Sequence, residues 1–69
     1  MSKHTVRTYD KAGKLLYEAN FKTAEAAYGE YKAILSNLRK TLPDGGWVRV
    51  VRFRDELPMC CDVAEGGIV

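Results

Sequence analysis

Between Thr23 and Pro43 lies "AEAAYGEYKAILSNLRKTL", residues 24–42, whose spacing restricts what the rest of the chain can be. Apolar residues recur at 24, 27, 28, 31, 34, 35, 38 and 42. That rhythm lays one broad stripe along an α-helix. Thr23 stands where an N-cap belongs, Glu25 falls in the first turn, and Arg39 and Lys40 fall in the last, where each charge favours the helix macrodipole. "PDGG", residues 43–46, ends the helix, because proline cannot continue it and the glycines open a turn. A stripe this broad needs a cover, and a chain of 69 residues has only its strand-like segments to supply one.

Those segments lie on both sides of the helix. "TVRTY", residues 5–9, is rich in strand formers. "LLYEANF", residues 15–21, puts Leu15, Tyr17, Ala19 and Phe21 on one parity and Glu18 and Asn20 on the other. "DKAGK" between them reads as the loop of a β-hairpin. "WVRVVRFRD" is a third strand, "MCCDV" after Pro58 a short fourth strand or an edge segment, and residues 64–69 a loose C-terminal tail. The fold expected is α+β: a small antiparallel sheet of three or four strands, ββαβ or ββαββ, with one helix on one face and a single domain over residues 1–69. The core expected is Val6, Leu15, Tyr17, Phe21, Ala27, Tyr31, Ile34, Leu35, Leu38, Val51 and Phe53.

"WVRVVRFR" does not alternate cleanly. Trp47, Val51 and Phe53 share a parity with Arg49, while Val48 and Val50 share the other with Arg52 and Arg54. A β-bulge at Val50–Val51 would flip the parity and gather Arg49, Arg52 and Arg54 with Trp47 on the open face of the sheet. Tryptophan and arginine are enriched among residues that carry binding energy, so this patch is the first partner-binding candidate. The second is on the helix. Gly29 with Ala26 and Ala33 forms a strip of small residues, read as close packing of helix on sheet or as a flat docking strip. Tyr28 and Lys32, four residues apart, form its rim.

No catalytic, cofactor or metal site is expected. His4 is the only histidine and is expected to be exposed. Cys60 and Cys61 are adjacent, so they cannot staple distant segments and are read as reduced thiols. No Cys-x-x-Cys or paired-histidine spacing suggests zinc, and "PDGG" lacks the pattern of a phosphate loop. Ser2 and Ser36 lie in no nucleophile context, and Asp55, Glu56 and Asp62 read as surface carboxylates. The formal net charge of +2 is too mild to announce a nucleic-acid-binding domain and excludes an acidic DNA mimic. No stretch approaches the roughly 20 apolar residues of a membrane span. "MSKHTVRTYD" holds no apolar signal core, so a cytoplasmic location is expected.

In "VRTYDKAGKLLYEANF", "TAEAAYGEYKAIL" and "WVRVVRFR", taken together as hairpin, helix and strand, the chain resembles small phage-encoded accessory proteins such as anti-CRISPR inhibitors and short inhibitors of host RNA polymerase. The resemblance implies a non-enzymatic protein that works in the host cytoplasm by occupying a surface on a larger protein or ribonucleoprotein complex. With the arginine patch, it implies an acidic partner surface and a protein acting as monomer or homodimer. The alternative is a nucleic-acid-binding module that stacks bases on Trp47 and sets Arg49, Arg52 and Arg54 on phosphates, supported by Lys3, Arg7, Lys11 and Lys14.

Overall fold

The computed structural model describes residues 2–67. Five elements follow in order: β1 (His4–Tyr9), β2 (Leu15–Phe21), α1 (Ala24–Thr41), β3 (Trp47–Arg54) and β4 (Leu57–Glu65). The strands form one antiparallel sheet in the order β2-β1-β3-β4, with α1 packed across one face. This is the ββαββ form of the expected α+β fold. Thr23 is the N-cap: its Oγ1 accepts the Ala26 N–H at 3.1 Å. At the other end the Leu42 N–H closes on the Leu38 carbonyl at 2.9 Å, and Pro43 prevents a further turn.

Ala27, Tyr31 and Leu35 drop from the helix onto Val6, Val48, Val50 and Ala64, and Phe21, Ile34, Leu38, Leu42 and Cys60 close the sides of this core. Leu15 and Tyr17, expected in the core, are exposed at 47% and 41%. For Leu15 the cause lies in the ladder: Thr8 pairs with Tyr17 but Tyr9 pairs with Leu15, so Leu16 is an extra residue that breaks the alternation of β2 and turns Leu15 to the open face. Tyr17 stays on the helix side, at the sheet edge, where its hydroxyl donates to Glu30 at 2.9 Å. Val51 is buried and Phe53 half-buried, but on the sheet face away from the helix.

The first two residues of the expected tail, Ala64 and Glu65, belong to a strand. β4 continues to Glu65, and Ala64 is fully buried in the core. Gly66 then binds back, its N–H donating to the Gly46 carbonyl at 2.9 Å. A Cβ on Gly66 would stand 1.7 Å from the Pro43 carbonyl oxygen, so only glycine passes there. Residues 68–69 lie outside the described residues. The β3–β4 turn is Asp55–Glu56, both left-handed at φ 52° and 67°, the geometry of a tight two-residue hairpin. Lys3 holds it: its N–H donates to Asp55 Oδ1 and its carbonyl accepts the Asp55 N–H, both at 2.8 Å.

Candidate functional site

β3 alternates without interruption against β1, from Arg49 opposite Tyr9 to Arg54 opposite His4. The bulge expected at Val50–Val51 is absent, and the three arginines do not share a face. Arg49 lies over the Tyr9 ring at 5.0 Å, on the side away from the helix, with Trp47 in the same alternation. Arg52 lies over the ring of Tyr28, a helix residue, at 5.7 Å, on the helix side. Arg54 shares the parity of Arg52 and is exposed at the end of the strand. The mixed parity has a simple cause. The helix covers β3 over Val48 and Val50 and reaches Arg52 only at its edge, through Tyr28, and at Arg54 the strand outruns it, so these later helix-side positions take arginine.

The open face covers itself. Arg7 lies over Phe53 at 4.7 Å as Arg49 lies over Tyr9, and Thr5 and Val51 are buried among these side chains. Arg7 is also bonded to Glu18 on β2 and, through Nη2 at 3.1 Å to both oxygens, to Glu56 in the β3–β4 turn. Glu18 and Glu56 hold the Arg7 guanidinium protonated well beyond its ordinary range. Lys3 first, then Arg7, draw the Glu56 carboxyl below the usual carboxylate range. Two of the aromatic rings on this face therefore carry a guanidinium, and one of those guanidiniums is neutralised. Such a surface is poorly suited to stacking bases.

The helix edge beside β4 is different. Tyr28 is exposed, with Lys32 Nζ 5.4 Å from its ring and Arg52 on the same ring. Both are within reach of a cation–π attraction. Beneath Tyr28 its ring stacks at 6.0 Å on Tyr31, whose hydroxyl is pushed up to about 12, chiefly by burial and then by neighbouring Cys60 and Asp62. Arg52 is half-buried, and its Nε–H donates to Cys60 Sγ at 3.3 Å. Neither Lys32 nor Arg52 pairs with a carboxylate among the described residues. No protein-family model matches this chain, and neither does any curated protein or solved structure.

Of the residues expected to bind a partner, the structure thus brings Tyr28, Lys32 and Arg52 together, leaves Arg54 exposed on the same face at the end of the strand, and puts Trp47 and Arg49 on the other face. Gly29 is exposed, with nothing within 4 Å of the place its Cβ would take, so it packs against no strand. His4, expected at the surface, is only 7% exposed, because its position on β1 falls on the helix side between Phe21 and Arg54. Cys60 and Cys61 are free thiols on opposite sides of β4, the first half-buried and the second exposed. The roles of Arg7, Tyr9 and Cys60 escape a reading of the sequence, since each depends on which residue stands across the ladder, and register is not written in one strand alone.

Proposed function

We propose that the protein is a non-enzymatic binding module, an inhibitor or modulator that occupies an acidic surface on a larger protein or ribonucleoprotein complex through Tyr28, Lys32 and Arg52. The observation that carries this reading is Arg52. A half-buried guanidinium has lost part of its hydration, and it gains most from a carboxylate that this chain does not give it. Tyrosine and arginine are also the residue types that concentrate binding energy at interfaces. Action on a host complex, as in the phage accessory proteins that the chain resembles, is the setting in which such a module would work. The nucleic-acid alternative is less well supported, because Lys3 and Arg7, two of its supporting cations, are already engaged by Glu56 and Glu18.

Affinity capture from the native host, run with wild type and with Lys32→Glu, tests the reading. Wild type should retain a defined complex that Lys32→Glu loses, with the fold checked by circular dichroism. Equal capture by both proteins, or retention on DNA with a steep salt slope, would reject it.

A further inference from the structure

β4 ends the sheet, so one of its sides has no strand beside it. We propose that this side is the docking edge and accepts an added strand from the partner, an extended segment with acidic side chains at alternate positions. The inference rests on the acidic-partner reading above and specifies its geometry.

Edge strands are commonly guarded by proline, by bulges or by charge. In β4 the guards stand at one end. Pro58 has no N–H to offer, and Met59 is an extra residue, since Arg52 pairs with Cys60 but Phe53 with Pro58. From Cys60 to Glu65 the register with β3 is unbroken and neither proline nor bulge recurs; the charges of this stretch are Asp62, which Arg39 neutralises, and Glu65 at its far end.

The helix overhangs that stretch with a basic flank. Arg39 donates to Asp62 of β4 at 3.2 Å, which fixes this side of α1 above the strand. Lys32, Leu35, Ser36, Arg39 and Lys40 line a hollow of about 380 Å³ there. A strand added beside β4 would lie about 4.8 Å further out, with every second side chain directed to the helix side. Those side chains would face Lys32, Lys40 and Arg52, none of which has a carboxylate partner among the described residues. Ladder bonds would supply affinity and the alternate acids specificity. A second copy of this chain fits poorly, since pairing β4 with β4 would bring two such flanks together. The other edge, β2, borders an apolar groove lined by Leu16, Tyr17, Ile34 and Leu38 and offers no comparable charge.

The test is amide NMR on the full chain with synthetic peptides. The probe is an acetylated, amidated repeat of alternating Glu and Val, about eight residues long, which spans the unguarded stretch. One control replaces each Val by Pro and N-methylates each Glu, which keeps the charge but leaves no N–H for a ladder; a second replaces each Glu by Lys; oligo(dT) is the third. The Glu–Val probe should shift the amides of residues 60–65 and slow their hydrogen exchange, and the controls should not. Lys32→Glu with Lys40→Glu, both at exposed positions, should weaken probe binding about tenfold or more with the dichroism spectrum unchanged. If the Glu–Pro peptide binds as well as the probe, still dependent on Lys32, strand addition is wrong and the acidic-partner site stands. If neither acidic peptide binds at millimolar concentration, or both bind regardless of Lys32, the site itself is wrong. Equal shifts from oligo(dT) would overturn both in favour of a phosphate ligand.

Discussion

The Arg52 Nε–H rests on the Sγ of Cys60, directly across the β3–β4 ladder, at 3.3 Å. The thiol holds the guanidinium in place without neutralising it, which leaves its remaining N–H groups for an acceptor from outside. Arg52→Ala should therefore weaken partner binding by about 2 kcal/mol or more, roughly thirtyfold, and Arg54→Ala should stay within about 0.5 kcal/mol. Titration calorimetry against the captured partner reads both. Equal losses from the two variants would show that the arginines act only as diffuse charge.

Leu35 is 5% exposed at the centre of the helix stripe, over the core. Leu35→Ala should cost about 2–5 kcal/mol, while Leu15→Ala, at a position the β2 bulge turns outward, should cost under about 0.5 kcal/mol. Urea denaturation separates them, and a small cost at Leu35 would mean that the stripe is not the core.

The contrast between those two leucines shows where the sequence is informative. The helix was legible because its signals are local: Thr23, the apolar spacing and "PDGG" each act within a turn. The first hairpin was legible for the same reason. Faces and registers were not. Leu16 shifts the parity of β2 and Met59 that of β4, and each bulge exists only relative to a partner strand. Arg52 and Arg54 read as outward residues needing a bulge, yet both sit on the helix side, Arg52 against Tyr28 at the helix edge and Arg54 beyond it. β4 was hard to see because its only fully buried residue is Ala64, and Pro58 breaks its pattern.

Two glycines should respond in opposite ways. Gly29 lies inside the helix with open space around it, so Gly29→Ala should stabilise by about 0.5–1 kcal/mol through propensity alone. At Gly66 a methyl group would meet the Pro43 backbone, so Gly66→Ala should cost about 1–3 kcal/mol or more and loosen the end of β4. Thermal melts of the two variants check the pair; a harmless Gly66→Ala would mean that this end of the strand is not seated on the turn.

Tyr31 sets an alkaline limit. Burial raises its hydroxyl from an ordinary 10.0 to about 12, so the folded state keeps that proton where the unfolded chain loses it. The stabilisation is complete below pH 10 and declines as pH rises from there towards 12, by a total on the order of 2 kcal/mol. Tyr31→Phe should flatten that decline. Denaturation measured at intervals through this window decides it, and an equal slope in the variant would assign the loss to other groups.

The strand order β2-β1-β3-β4 also dictates how the chain can assemble. β1–β2 and β3–β4 are each closed by a short turn, so each hairpin is a local event on the microsecond scale. The β1–β3 seam alone joins strands that are distant in sequence, and its loop closure spans the whole helix. Substitutions that weaken the seam, such as Val6→Ala or Val50→Ala, should slow folding, while Leu57→Ala at the hairpin end should leave the folding rate unchanged. The molecule is kinetically two hairpins awaiting one weld, and α1 is the tether that sets how often their edges meet.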